Sequence, residues 1–353
     1  MRPLALVCCL LVTACGSSDD TATVDNGADT SLADTAGGSG DTTPESDGSA
    51  APDSGVNDAG TADDVDTGSD DTAAVDTTPE GHELPPDAPL YDPPETRFPV
   101  TRCTNHRPIV FVHGFLAAGD TWASFSDRFA SNGWCADSIR AFDWNSVNQN
   151  ANHAAELDAF IDAVLAETGQ SQVDLFGHSA GGGVGYDYLA DPAHAAKVAH
   201  YVHVASFAQP APPGPADAPV PTLNIWSDGD FAVTDHADIP GATNVSPPGL
   251  DHYALATSPT TFEAVYGFIS ELPLTTTEIL PEDDLYISGR ALSLGENTPE
   301  AGATLDIYAV DAATGARTTE LPAARFIIAA DGSWGPFVAA HDTVYEFNVI
   351  PVA

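Results

Sequence analysis

The sequence predicts an α/β domain built on a parallel sheet of about six strands, followed by a small antiparallel β-sandwich. Three observations carry this reading. Between residues 98 and 272, short apolar runs alternate with amphipathic stretches at helical spacing. Beyond residue 275 the apolar runs are strand-like, are separated by turns, and show no helical period. Before residue 98 the composition is of another kind: no Lys or Arg occurs between Arg2 and Arg97, and residues 16–96 hold 21 acidic residues.

The N-terminus reads as an export signal. Arg2 supplies a positive charge and residues 4–12 are nine consecutive apolar residues. A membrane span needs about 20, so the segment fits a signal-peptide core instead. Its end, Leu11-Val12-Thr13-Ala14-Cys15, resembles the bacterial lipobox. That resemblance implies cleavage before Cys15, with residues 1–14 as signal peptide, and lipidation of Cys15. The expected location is the cell envelope, the outer membrane or cell surface in preference to the inner membrane. Each buried CH₂ of such an anchor contributes about 0.8 kcal/mol. Residues 15–97 read as an acidic tether of Asp, Thr, Ala, Gly, Ser and Pro, too poor in apolar side chains to offset its chain entropy. Asp64-Val65-Asp66-Thr67-Gly68 is a fragment of a calcium-loop pattern, but nothing repeats it.

Charge removes whole classes of function. The chain carries 52 Asp+Glu against 10 Lys+Arg, a net charge of −42. Nucleic-acid binding and polybasic attachment to a membrane both need a basic footprint that is lacking. No protein partner is indicated. Beyond Cys15 only Cys103 and Cys135 remain after cleavage, and in an exported chain two cysteines most simply form one disulfide. It would close 33 residues and contribute ~3 kcal/mol. The alternative, a Cys/His nucleophile, lacks the strand–turn–helix setting such chemistry uses.

The catalytic domain is expected over 98–272. Residues 108–112 form a buried strand closed by His113-Gly114, and 120–133 a helix carrying Trp122, Phe125 and Phe129. Strands follow at 138–144, 173–176, 199–205 and 221–226, with helices at 154–169, from the Gly-rich turn to Leu189, and at about 259–270. The sharpest feature is Gly177-His178-Ser179-Ala180-Gly181, a G-x-S-x-G between a strand and a helix. Glycines there permit a turn tight enough to present Ser179 as a nucleophile, and the N–H of Ala180 faces a developing oxyanion. The base and acid should follow in the order Asp, His. Asp230 lies in the turn after the strand at 221–226, and His252 just before the last helix. Asp228 is two residues nearer the strand, and so less well placed as the acid. His236 stands too close to Asp230, His113 belongs to the first turn, and His178 is expected to point away from the nucleophile. His194, His200 and His203 read as packing or surface residues. No His-x-x-x-His pair with an acidic partner suggests a metal, and no cofactor is expected.

Pro108-Ile109-Val110-Phe111-Val112-His113-Gly114-Phe115, the Ser179 elbow, Asp230 and His252 together resemble the α/β-hydrolase superfamily of lipases and esterases. The resemblance implies that fold in a minimal form, with Ser179, Asp230 and His252 as the triad. It implies a second oxyanion donor on the N–H of Phe115, beside that of Ala180. A closer similarity is to a long-chain lipase type of a hyperthermophilic archaeon. It runs from Arg107 to Val349 through Phe129-Ala130-Ser131-Asn132-Gly133, Ala195-Ala196-Lys197-Val198-Ala199-His200 and Thr257-Ser258-Pro259-Thr260-Thr261-Phe262. It continues through Thr275-Thr276-Thr277-Glu278-Ile279-Leu280-Pro281 and Leu305-Asp306-Ile307-Tyr308. That family carries a helical lid after its counterpart of Phe142-Asp143-Trp144; here about ten polar residues intervene before the next helix. The resemblance implies that 275–353 is a lipase C-terminal β domain that guides acyl chains or surfaces, with a structural buttress as the alternative. Strands are expected there at 285–289, 305–310, 326–328 and 344–349.

The function expected is that of an envelope-anchored carboxylic ester hydrolase, a lipase or esterase working through an acyl-enzyme on an ester or lipid substrate. The alternatives are a thioesterase or polyester depolymerase with the same triad, or an inert surface-binding lipoprotein. For the anchor, mass spectrometry of the mature N-terminus should show an acylated Cys15. A free cysteine, or a start elsewhere, would remove it.

Overall fold

The computed structural model describes residues 89–91, 106–148, 150–282 and 285–352. The expected signal peptide, Cys15 and most of the expected tether lie outside the described residues, as does Cys103 and with it the expected pairing to Cys135.

Six parallel strands make the central sheet: β1 (Ile109–Val112), β2 (Ile139–Phe142), β3 (Val173–His178), β4 (Val198–Val204), β5 (Thr222–Ile225) and β6 (Thr243–Val245). Their spatial order is β2-β1-β3-β4-β5-β6. The chain therefore reverses direction across the sheet between β1 and β3, where such sheets open a crevice at their carboxyl ends. The helices are α1 (Ala123–Ser131), α2 (His153–Thr168), α3 (Ala180–Leu189), α4 (Pro192–Ala195), α5 (Ala254–Thr257) and α6 (Pro259–Ile269). Alternation along β1 divides the core in two. Ile109 and Phe111 pack with Trp122, Phe125 and Phe129 beside α1 and with Phe262 and Tyr266 of α6. Val110 and Val112 pack on the opposite face with Leu157 and Ile161 of α2 and Tyr188 of α3. Each large side chain so buried contributes about 1.5–3 kcal/mol. Helix limits follow local chemistry. Asn152 caps α2 by accepting from the Ala155 N–H, and Gly169 ends it at φ 68°.

Strand β6 has no counterpart in the sequence reading. Thr243-Asn244-Val245 is short and polar, and long-range bonds place it: Asn224 of β5 donates to the Asn244 side chain at 2.9 Å. Asn244 also ties back the preceding turn through Ile239 and Ala242.

The C-terminal unit has β7 (Leu285–Arg290), β8 (Thr304–Val310), β9 (Ala324–Ile327), β10 (Ser333–Ala339) and β11 (Val344–Ile350). Strand β7 pairs with β10, and β8 lies between β11 and β9; every pairing is antiparallel. The two sheets share a core that includes Leu305, Ile307, Phe337 and Phe347. Strand β10 escaped the sequence reading because Gly335-Pro336 interrupts its pattern; the interruption falls at a register shift between Trp334 and Phe337, where proline is tolerated. Asp306 and Arg325 stand opposite each other on β8 and β9 as a buried bidentate pair.

One correction concerns the tether. Tyr91 falls inside the stretch expected to be disordered, yet its N–H donates to the Arg325 carbonyl at 2.8 Å. Its ring packs on Phe326 and Phe337. It is the first aromatic residue of the chain, and so the first able to bury a large apolar surface.

Two buried histidines on adjacent strands make the fold sensitive to acid. Burial pushes His178 of β3 down to about 4, with neighbouring His252 adding to the effect, and pushes His203 of β4 down to about 4 as well. An unfolded histidine binds its proton near pH ~6.5. Between that value and about 4 the unfolded chain holds more protons, so stability falls as pH drops through this window and is fully present above it. The thermal unfolding temperature should decline accordingly. His203→Gln, which keeps a donor for the Phe207 carbonyl, should decline less steeply. An equal slope in the variant would remove His203 from this account.

Candidate active site

The site is built where strands β1, β3, β5 and the chain after β6 reach the carboxyl edge of the sheet. Ser179 lies between β3 and α3 at φ 54°, ψ −125°, a conformation that costs a non-glycine residue of order 1–3 kcal/mol. Its backbone is gripped on both sides. The Ser179 N–H donates to the Val204 carbonyl at 2.9 Å, and its own carbonyl accepts from the Gly182 N–H at 2.9 Å and from the Ser206 hydroxyl at 2.8 Å. The flanking glycines are dictated by space. A Cβ on Gly177 would lie 2.6 Å from the Gly181 carbonyl oxygen, and one on Gly181 would lie 2.6 Å from that of Val112. Ser179 itself is half-buried. Ala180 is the first residue of α3, so its N–H has no partner within the helix.

The turn after β1 runs beside this elbow. A Cβ on Gly114 would come within 3.0 Å of the Ser179 Cβ, so the Gly114–Phe115 peptide passes directly alongside the serine. His113, fully buried, braces that peptide. Its Nε2 accepts from the Trp144 N–H at 3.2 Å, which puts the proton on Nδ1, 2.8 Å from the Gly114 carbonyl oxygen. Burial pushes its pKa down, in keeping with a neutral ring.

The structure brings Asp230 and His252 together, with Asp230 Oδ2 2.8 Å from His252 Nδ1. The other carboxylate oxygen accepts from the N–H groups of Ala232 and Val233 at 2.9 and 3.1 Å. Burial alone would raise this carboxyl. The His252 hydrogen bond and these backbone donors outweigh it, so Asp230 sits below the ordinary carboxylate value. A carboxylate accepting from Nδ1–H leaves His252 Nε2 with its lone pair free to take a proton. Asp228 has a different task. It accepts from the Gly249 N–H at 2.8 Å, while the Ser227 hydroxyl accepts from the Leu250 N–H at 3.0 Å. Together they clamp the loop that delivers His252.

His178, expected only to point away from the nucleophile, lies beside His252: its Nε2 is 3.0 Å from the His252 carbonyl oxygen and the two rings are 4.6 Å apart. The loop after β6 folds back over the end of β3, which local sequence does not reveal. The remaining histidines stand elsewhere: His236 bonds the Val233 carbonyl, His194 stacks on Tyr188, and His200 meets Asp174. Around the site Phe115, Phe207, Phe231 and Tyr253 are exposed. No cluster of three or more His, Cys, Asp or Glu fit for a metal occurs among the described residues, and none of their helices is long and apolar enough to cross a membrane.

Residues 107–246 match the family model described as alpha/beta hydrolase fold, and residues 283–351 that of the lipase C-terminal domain. Similar solved structures include a predicted CIB-like hydrolase from Thermoplasma acidophilum, 19% identical over 46% of this chain and 84% of that one, with a TM-score of 0.35. A pyrethroid hydrolase from Sphingobium faniae is 17% identical over 46% and 97% of the two chains, with a TM-score of 0.36. An extracellular alpha/beta-hydrolase from a Paenibacillus species is 13% identical over 47% and 100%, with a TM-score of 0.36. The six-stranded parallel sheet with helices on both faces and the antiparallel sheets that follow it make this an α/β-hydrolase fold with a C-terminal β unit.

Proposed function

We propose that this protein hydrolyses carboxylic esters through an acyl-enzyme on Ser179. The observation that carries the reading is the hydrogen bond from His252 to an ionised Asp230, set on the same sheet edge as a serine held at positive φ. His252 Nε2 takes the hydroxyl proton as Ser179 Oγ attacks the ester carbonyl. The N–H groups of Phe115 and Ala180 receive the negative charge of the tetrahedral intermediate. His252 then hands its proton to the departing alcohol, and water repeats the sequence to release the acid. Asp230 keeps the imidazole in the Nδ1–H tautomer and offsets its charge when it is protonated. This route draws on no cofactor. The exposed aromatic side chains beside the site and the match to a lipase C-terminal domain favour esters with an apolar acyl part. Cys15 would hold the enzyme on the envelope.

Access is the second element of the proposal. The two connections where a cap would be inserted, 143–152 and 205–221, carry no helix among the described residues. Such a site needs no lipid surface to uncover it. Wild-type protein should turn over p-nitrophenyl esters of short and medium chain below their solubility limit, with no jump in rate above it, and Ser179→Ala should give only background. Negligible rates on monomeric ester with a steep rise on emulsions would contradict the open site. Activity in Ser179→Ala would contradict the nucleophile.

The two acids after β5 are separated by a second test. Asp230→Asn places an amide against His252 Nδ1, favours the wrong tautomer, and should lower kcat by ~10⁴-fold. Asp228→Asn keeps an acceptor oxygen for the Gly249 N–H and should lower kcat far less. The reverse order would reassign the acid.

A further inference from the structure

We propose that the C-terminal β unit is a working part of the oxyanion site, with Asn297 as a positioning residue that sets the direction of the Phe115 N–H. This rests on the ester-hydrolase reading above. The connection from β7 to β8 forms a finger, closed at its base by a bridge between Leu292 and Pro299. The finger reaches the carboxyl edge of the parallel sheet. At its tip Asn297 is buried, 7% exposed, with φ 53°, a backbone state that asparagine tolerates better than most residues. Its amide nitrogen lies 2.8 Å from the Trp144 carbonyl oxygen, 3.0 Å from that of Ala117 and 3.0 Å from His113 Nε2. All three are acceptors, and all three belong to the α/β domain.

His113 carries this grip to the site. Its Nε2 accepts from the Trp144 N–H and lies 3.0 Å from the Asn297 amide, which keeps its proton on Nδ1, and that proton is given to the Gly114 carbonyl. The Gly114 carbonyl and the Phe115 N–H belong to one planar trans peptide and point in opposite directions. Fixing the carbonyl on His113 therefore fixes where the N–H points. A second strap runs in parallel. The Gly295 carbonyl accepts from the Ser146 N–H at 2.8 Å and from its hydroxyl at 3.1 Å, and the Ser146 oxygen accepts from the Leu116 N–H at 2.9 Å. The Phe115 peptides are thus held on both sides by groups bonded to the finger. A buttress would need only apolar burial. These contacts are directional and converge on the one turn that oxyanion binding needs.

The test uses the full chain and p-nitrophenyl acetate, with three variants. Asn297→Gly removes the amide and keeps the positive φ, Asn297→Asp keeps the shape and removes the donors, and Ser146→Ala cuts the second strap. Rates are taken per molecule that retains a cooperative unfolding transition. Asn297→Gly and Asn297→Asp should lose about 10- to 100-fold in kcat, with little change in KM. The pH of the acidic limb should not move, because Asn297 does not touch His252. Inhibition by phenylboronic acid, which forms a tetrahedral anion on the serine, should weaken by the same factor. Ser146→Ala should lose several-fold in kcat. Glu346→Gln, which breaks the Arg317 pair elsewhere in the β unit, should leave kcat unchanged. Wild-type kcat in all three variants, or a loss matched by Glu346→Gln, would overturn the proposal and leave the β unit as a buttress. Undiminished activity in Ser179→Ala would instead defeat the ester-hydrolase reading itself.

Discussion

A side chain at φ 54° between β3 and α3 is unstable unless its surroundings over-determine it, and most of the surrounding architecture follows from that need. The strain at Ser179 is of order 1–3 kcal/mol. It is offset by three hydrogen bonds to the serine's own peptide groups, from β4, from α3 and from Ser206. Ser206 follows Ala205, the first residue after β4, which is itself at φ 48°. Gly177 lets β3 lie against the start of α3, and Gly181 lets α3 approach the end of β1, each so closely that no side chain fits between them. Two strand ends on either side of the sheet's reversal point are therefore locked into one unit, and the turns after β1 and β3 share a single crevice.

In a chain with net charge −42, carboxylates are common and their environments decide what each does. Asp230 is buried, which alone would raise its carboxyl, but donors from His252, Ala232 and Val233 hold it below the ordinary carboxylate value. Asp228 spends its oxygen on the Gly249 N–H and acts on backbone geometry. His178 supports the same loop from beneath, through the His252 carbonyl. Being kept neutral by burial, it adds no positive charge beside the imidazole. The proposed base, His252, is thus oriented from Nδ1, from its own carbonyl and from the loop that precedes it.

The residues proposed to carry the chemistry were the most legible in the sequence, because their signal is local. A glycine on each side of Ser179, a strand before and a helix after are all contained in about twenty residues, and Asp230 and His252 follow in the expected order. The parallel sheet was legible for the same reason, since β1 is a continuous apolar run and the first four residues of β3 are apolar but for Asp174. What escaped was long-range. Strand β6 is polar and is placed by an asparagine pair with β5; β10 is broken by Gly335-Pro336. The elbow motif that contains His178 says nothing of what its ring meets, and Asn297 has no periodic or motif context. Their roles depend on chain returning from 74 and 184 residues away, which no window of sequence displays. Tyr91 was misplaced because composition describes a tract, whereas docking needs only one aromatic side chain.

The central claim is that Ser179 forms a covalent intermediate with an ester. Intact-protein mass spectrometry after a short exposure to p-nitrophenyl butyrate and an acid quench tests it most directly. The account predicts a single butyryl adduct, located by fragmentation on the peptide that holds Ser179 and absent from Ser179→Ala. An adduct on another residue, or ester turnover with no acylated protein at any quench time, would contradict it.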